Sequence, residues 1–163
     1  MPAVQSGVYS FIDVQASISG PGGTFDIAAS GVSDESIRIA MMRDKNTMVT
    51  GANGDGMHSM NASTACRITI SLLKTATGNA QMNALYRYQA ESSAFWGRNI
   101  ITITNPVSGD SIVATAGAFL KQSDVGYSAE AGLNSWVFEF IAISEVLGNG
   151  LQTTGLAAGS VIV

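Results

Sequence analysis

The sequence has a single cysteine, Cys66, and a single histidine, His58, in 163 residues. One cysteine excludes an intrachain disulfide framework, and one cysteine with one histidine cannot form a soft-metal site without carboxylates. Charged side chains are also scarce, at 12% of the chain. Because monomeric proteins rarely leave large apolar patches exposed, this scarcity favours a protein that covers its surface with copies of itself.

Basic residues are nearly absent from the second part of the chain. Residues 99–163 contain one base, Lys121, and the acids Asp110, Asp124, Glu130, Glu139 and Glu145, which together account for the net charge of −4. No basic cluster is available to neutralise phosphates, so tight nucleic-acid binding is not expected. Repulsion of DNA is compatible with the same pattern.

The sequence also shows no signature of a targeting segment or of a membrane-spanning segment. The N-terminus has no basic region followed by an apolar core, which is the signature of a signal peptide. The longest charge-free stretch, residues 146–163, contains four glycines and several polar residues, a composition too polar for a membrane span. We expect no contact with membranes, and assembly in a cytoplasm.

Alternating hydrophobicity predicts strands along most of the chain. The predicted strands cover residues 8–19, 24–27, 35–42, 47–50, 57–63, 66–72, 99–104, 111–122 and 134–146. In the strand 111–122, period two gives Ala114, Ala116 and Ala118 one small-residue face. In the last strand it places Ala142 with Phe140, on the face opposite Ile143.

One helix and one tight hairpin interrupt this alternation. Residues 80–91 are rich in helix formers, Thr77 or Asn79 can cap them, and Met82 and Leu85 share an apolar face. Two turn dipeptides within 51–56 predict a hairpin. The sequence therefore predicts a mainly β domain of residues 1–148, a β-sandwich or barrel with one short packed helix at about 79–91. A Gly-rich arm, 149–163, follows it.

Candidate catalytic residues are few. His58 follows a turn and lies near Ser59 and Asp55, which favours a polar turn residue over a catalytic triad. The polar residues around this hairpin lack the regular spacing and the final Glu of a calcium loop. We expect neither catalysis nor a metal or cofactor.

Two further patterns leave alternatives open. The acidic pairs Asp124/Glu130 and Glu139/Glu145 are more typical of solvated or lumen-facing charges than of a hydrolase. A sugar-binding platform could be formed by Trp96, Trp136, Tyr86, Tyr88 and Tyr127, although core and interface packing is the commoner use of such residues. A carbohydrate-binding β-sandwich is therefore the alternative from another functional class.

Taken in order, the segments resemble the tail tube proteins of contractile-tailed (myovirus-type) phages over roughly residues 8–148. The resemblance is carried by VYSFIDVQA at 8–16 with GPGG at 20–23, DKNTM at 44–48, GDGMHS at 54–59, ITISLLK at 68–74, NAQM at 79–82 with LY at 85–86, SAFWG at 93–97 with NIIT at 99–102, and NSWVF at 134–138.

The resemblance implies an assembly. Such proteins form hexameric rings with a continuous inner β-barrel and a helix outside, and the rings stack into a tube within the contractile sheath. The implied partners are the chain itself, the tail sheath protein, and the tail terminator and baseplate proteins. DNA passes through the lumen without specific binding, and the location is the tail of the virion. A type VI secretion or phage-like-particle tube subunit is the alternative within this class.

Specific residues follow from this interpretation. Candidates for ring-to-ring stacking, with an ordinary solvent loop as the open alternative, are Asp44, Lys45, Asn46, Asn53 and Asp55. Candidates for charges that line the lumen and repel phosphates are Glu139 and Glu145. The arm 149–163 either binds a neighbouring subunit or ring as an added strand or is disordered.

Overall fold

A computed structural model describes residues 9–27 and 32–148 of the chain. These residues form a short 3-10 helix, Phe11–Asp13, one α-helix and nine β-strands. The helix α1 spans Gly78–Ala90. The strands are β1 (Gln15–Gly20), β2 (Gly23–Asp26), β3 (Val32–Met41), β4 (Asn46–Thr50), β5 (Gly56–Met60), β6 (Cys66–Leu73), β7 (Asn99–Asn105), β8 (Asp110–Phe119) and β9 (Leu133–Val146).

Seven of the strands form one sheet, in the order β2-β1-β7-β8-β9-β6-β3. Every neighbouring pair in this sheet is antiparallel. The strands β4 and β5 form a separate two-stranded sheet and pair only with each other. Among the described residues, β2 and β3 are the two edges of the large sheet.

The core lies on one side of the seven-stranded sheet. In β6, β7 and β9 every second residue is buried, as period-two alternation predicts. The centre of this core is aromatic, with the Phe119 and Phe138 rings 4.3 Å apart and the Phe138 and Phe140 rings 6.0 Å apart. The opposite side of the sheet carries many polar and small side chains, together with exposed apolar ones such as Leu73, Ile100 and Leu133.

Helix α1 packs against the core side of the sheet. Its residues Met82 and Leu85 are buried, and Tyr86 meets Phe119 edge-on at 5.4 Å between ring centroids. Near its start, Asn79 accepts a hydrogen bond from Trp136 Nε1 (3.1 Å) and donates one to the Leu73 carbonyl oxygen (2.7 Å). Thr77 occupies the N-cap position but makes no side-chain capping bond, so neither predicted residue caps the helix through its side chain in the ordinary way.

A buried pair of amides joins the last turn of the helix to the sheet. Gln89 and Asn99 are fully buried and exchange two hydrogen bonds of 2.7 and 2.8 Å. Gln89 also donates to the Pro21 carbonyl oxygen, and Asn99 donates to the Gly117 carbonyl oxygen. Four segments of the chain therefore meet at one satisfied polar network, which fixes the angle of the helix over the sheet.

The predicted strand 8–19 was wrong in its first part. The Val14 amide donates to the Phe11 carbonyl oxygen, and the Asp13 amide donates to the Ser10 carbonyl oxygen, which closes a 3-10 turn. The strand begins only at Gln15, where pairing with β7 starts. A turn of three residues is too short to show a helical period, so the hydrophobic pattern did not distinguish it from a strand.

The predicted small-residue face of β8 was also wrong, because a bulge interrupts the strand. Ala116 has a φ of +55°, and the register between β7 and β8 shifts by one residue next to it. Ala114 before the bulge is buried in the core, whereas Ala118 after it lies beside the buried Phe119 and therefore on the other face. The three alanines do not share a face.

The bulge at Ala116 also changes which residues of β9 face the core. Phe140 is buried and Ile143 packs against the core, so Ile143 lies on the core side three residues later. Ile143 is opposite the buried Ala114, while Ala142 is opposite Thr115. Since directly opposite residues share a face, Ala142 and Ile143 lie on the reverse of the predicted sides. Gly117 accommodates the bend, because a Cβ at this position would overlap the Phe140 ring.

Apart from these corrections, the fold prediction is confirmed. The described chain is mainly β with a large antiparallel sheet and one helix, and the helix runs from Gly78 to Ala90 against a predicted 79–91. The arm 149–163 lies outside the described residues.

Candidate assembly interface

The hairpin of β4 and β5 leads away from the large sheet. Its register pairs Asn46 with Met60 at the base and Thr50 with Gly56 near the tip. Every residue of both strands is exposed. An isolated two-stranded hairpin is at best marginally stable in water, so this element lacks the burial that stabilises an ordinary strand pair.

Both faces of this hairpin carry apolar side chains. Cross-strand register places Met48 and Met60 on one face, with 58% and 80% of their surfaces exposed. Val49 and Met57 are directly paired on the other face, at 57% and 61% exposed. Sequence analysis missed these four residues, which we call the hairpin apolar set. The signal was available, because five of the chain's seven methionines fall within residues 41–60.

The predicted stacking residues divide between the two ends of the hairpin. Asp44 and Lys45 precede β4, and the Lys45 carbonyl oxygen accepts the Asn61 amide at 2.8 Å. At the tip, Asn53 Nδ2 donates to Asp55 Oδ2 (2.7 Å) and the Asp55 amide donates to Asn53 Oδ1 (3.1 Å). With five residues in each strand, the two groups are about 17 Å apart. They can contact two different neighbours.

The root of the hairpin borders an apolar cleft of about 390 Å³. Two of its lining residues, Met42 and Ile141, are exposed apolar side chains. Its lining residues are Met42, Arg43, Ser63, Ala65, Glu139, Phe140 and Ile141. The large sheet thus has an apolar surface next to the point where the apolar hairpin leaves it.

Backbone edges of the sheet are open beside this cleft. Because β6 begins at Cys66, which pairs with Phe140, the end of β9 from Ala142 to Val146 pairs with β8 alone among the described residues. Among the described residues, β2 and β3 each have a partner on one side only. Unpaired strand edges are templates for pairing with another chain.

The predicted lumen charges lie on opposite sides of β9. Glu139 Oε1 forms an ion pair with Arg67 at 3.3 Å on the side away from the core. Glu145 is directly opposite Ile112, whose side chain is in the core, so Glu145 lies at the end of the core side. Burial raises the pKa of the Cys66 thiol, and the Glu145 carboxylate raises that pKa further, which agrees with this placement.

The other sequence candidates have ordinary structural surroundings. His58 Nδ1 lies 2.9 Å from Asn46 Nδ2 across the hairpin. Trp136 is buried in the core, and Lys74 lies 3.9 Å from the Tyr127 ring centroid, so the five aromatic residues proposed for a sugar platform do not form one exposed surface. Asp124 pairs with Lys121 at 3.1 Å.

Two searches of the described residues complete this survey. Across 9–27 and 32–148, no group of three or more His, Cys, Asp or Glu residues is placed to hold a metal ion. In the same ranges, no helix has both the length and the apolar character needed to cross a membrane.

Comparison with known proteins identifies the family to which this chain belongs. The family model of the bacteriophage PhiTE tail tube protein matches residues 6–148. The chain belongs to this tail tube family. The match covers the hairpin, the helix and all seven strands of the sheet.

A solved structure gives the same answer for the fold of this tail tube family member. The tube-terminating cap of the anti-feeding prophage, determined by cryo-electron microscopy, aligns with a TM-score of 0.54 and 11% identity. The alignment covers 90% of this chain and 95% of the cap. No curated protein matches the sequence. The predicted resemblance to tail tube proteins is confirmed, as is a structural role in the virion.

Proposed function

We propose that this chain is the repeating subunit of a phage tail tube, in which hexameric rings stack into a hollow conduit for DNA inside a contractile sheath. The observation that carries the proposal is the exposed hairpin, with apolar side chains on both faces, in a member of a tail tube family. Such surfaces are rare on monomers and are expected where another copy covers them.

Ring closure would use the edges of the large sheet. The edges β2 and β3 lie at opposite ends of the strand order, so one copy's β3 can meet the next copy's β2 in a repeated head-to-tail contact. A heterologous contact of this kind closes a ring when its rotation allows, and closure removes the exposed edges.

Ring stacking would use the hairpin. The hairpin apolar set, Met48, Val49, Met57 and Met60, supplies area, and flexible methionines fit irregular surfaces well. Asp44, Lys45 and Asn46 at the base and Asn53 and Asp55 at the tip supply polar contacts at each end. A neighbour's hairpin would pack against the cleft at the hairpin root, where Met42 and Ile141 are exposed.

This function requires partner proteins but no catalysed reaction. We infer that the chain is not an enzyme and that it works in the virion tail after assembly in the host cytoplasm. Its partners would be other copies, the sheath protein, and the terminator and baseplate proteins at the two ends. DNA would pass through the lumen without specific binding.

Electron microscopy of the purified full chain tests the proposal. We expect stacked rings with a central hole, and sedimentation as a polymer. A matched variant, in which Met48, Met57 and Met60 are replaced by Gln, should form single rings or remain monomeric. A monodisperse monomer from the unsubstituted chain, at concentrations where the monomer is fully folded, would contradict the proposal.

A second assignment within the same class is favoured by the fold comparison. The similar structure comes from the anti-feeding prophage, so a tube in a phage-like particle is the alternative to a phage tail. The two assignments predict the same rings. They differ in whether the tube is joined to a DNA-filled head, which microscopy of particles from the source cells distinguishes.

A further inference from the structure

The side of the seven-stranded sheet that is turned away from the core has an unusual chemistry. Cross-strand register shows which residues lie on it, because directly opposite residues share a face. It is rich in hydroxyl groups, and we call it the hydroxyl face. Its hydroxyl residues are Ser17, Ser19, Thr24, Thr69, Ser71, Thr102, Thr104, Ser111, Thr115, Ser135 and Ser144.

Several of these hydroxyls are ordered by contacts between strands. Thr24 Oγ1 donates to Ser19 Oγ at 3.0 Å across β1 and β2. Ser71 Oγ and Ser135 Oγ are 3.2 Å apart across β6 and β9. A hydroxyl group can both donate and accept a hydrogen bond, and it carries no charge. These paired hydroxyls therefore present no fixed positive charge to a phosphate group that passes the face.

The described charges on the hydroxyl face are equal in number and opposite in sign. Among residues whose side chains the structure describes, the cations on this face are Arg38 and Arg67 and the carboxylates are Asp26 and Glu139. Arg67 and Glu139 neutralise each other directly at 3.3 Å. The other described acids of the large sheet are elsewhere, because Asp110 and Glu145 lie opposite the core residues Asn105 and Ile112.

If the ring closes through the edges β2 and β3, as proposed above, the sheet forms part of the wall and turns one of its sides toward the central hole. The core and helix α1 already cover one side, and a covered side cannot line an open conduit. The remaining side is the hydroxyl face. This step rests on the proposed function, since a conduit exists only if the rings form.

We propose that the hydroxyl face lines the conduit as an electrically near-neutral wall, along which a polyanion such as DNA slides with neither attraction nor strong repulsion. The proposal keeps Glu139 at the conduit wall, where Arg67 neutralises it, and places Glu145 on the core side, so the wall is not acidic. A neutral wall releases few counterions during transit, so movement of the polyanion depends only weakly on salt.

Thiol labelling in assembled tubes tests which face lines the conduit. The background is Cys66→Ala, which removes the only native thiol. Thr69→Cys and Ser135→Cys place a thiol on the hydroxyl face, and Ala84→Cys is the matched control on the exposed side of α1. A maleimide on a long polyethylene glycol chain should label only the control. A small maleimide should label all three.

The rates of charged reagents then test the neutrality. An anionic and a cationic methanethiosulfonate both react with the thiol of Thr69→Cys. We expect the ratio of their reaction rates to lie within about twofold of the ratio measured on a free thiol. An added Glu139→Gln, which leaves Arg67 unpaired, should favour the anionic reagent severalfold. Adding Arg67→Gln to that variant should restore the original ratio.

The outcomes separate the two proposals. Labelling of Thr69→Cys and Ser135→Cys by the large maleimide in intact tubes overturns the assignment of the face. Preference for the cationic reagent by on the order of tenfold means an acidic conduit and overturns the neutral wall. Absence of tubes from the unsubstituted chain is seen by microscopy before labelling, and it overturns the proposed function together with the inference built on it.

Discussion

The hairpin and the large sheet are built from the same kind of β-strands, but only the sheet has a core. In the sheet, buried residues alternate along β6, β7 and β9 and pack around Phe119 and Phe138. In β4 and β5 every residue is exposed, although both faces carry apolar side chains. The sheet buries one of its two sides within the chain, whereas the hairpin buries neither.

This difference separates two kinds of substitution. Changes in the sheet core should unfold the subunit and abolish assembly only as a consequence. Changes in the hairpin should leave the subunit folded and abolish assembly directly. The substitutions below are ordered by their expected effect on the free energy of unfolding.

Phe138→Ala should have the largest effect. Phe138 is fully buried between Phe119 and Phe140, and truncation of a buried phenylalanine costs about 3–5 kcal/mol because it removes burial and leaves a cavity. Denaturant unfolding of the monomer measures it. A loss below about 1 kcal/mol would mean that the aromatic cluster is not the centre of the core.

Gln89→Leu should cost about 1–3 kcal/mol, because it leaves the buried Asn99 amide without its partner. The double variant with Asn99→Leu should lose less than the sum of the two single variants, since both singles break one shared interaction. The same unfolding experiment measures this coupling. Strictly additive losses would show that the two amides do not act as a pair.

Two neighbouring substitutions at the bend of β8 should have opposite signs. Gly117→Ala should destabilise the subunit by about 1–3 kcal/mol, because the added methyl group overlaps the Phe140 ring. Ala116→Gly should stabilise it by about 0.5–1 kcal/mol, because Ala116 has a φ of +55° that glycine adopts without strain. Thermal unfolding of both variants compares them. If both substitutions changed the stability in the same direction, the result would contradict the observed bend.

The bend also shows what sequence analysis could and could not predict. Alternation identified most of the strands, since a half-buried strand must repeat every two residues. It failed at Ala116 and Ile143, because a bulge reverses the facing of later residues without changing the composition. Period two would also put Glu139 and Glu145 on one face of β9. One bend placed them on opposite faces.

The hairpin was predicted as an element but not as an apolar surface. Its turn chemistry is local, and the Gly-rich segment 51–56 identified it. Whether Met48 or Met57 is buried depends on what packs against the strand, and that is a property of the tertiary structure. Polar candidates such as Asp44 and Asn53 belong to recognisable turns, whereas the methionines between them carry no local signal that assigns them a role.

The smallest effect on subunit stability, and the most informative one, is expected from Met48→Gln, Met57→Gln and Met60→Gln combined. These side chains are mostly exposed in the free subunit, so the free energy of monomer unfolding should change by less than about 0.5 kcal/mol for each. If a neighbouring copy buries them in the tube, each loses a hydrophobic contribution that corresponds to on the order of tenfold in association. The Leu triple variant is the matched control, because leucine has a similar volume and remains apolar, and it should assemble as the unsubstituted chain does. Unfolding curves together with sedimentation measure both quantities on the same samples. If the Gln variant assembled normally, the apolar hairpin would be an incidental surface, and the contrast between the hairpin and the sheet would no longer identify where the copies meet.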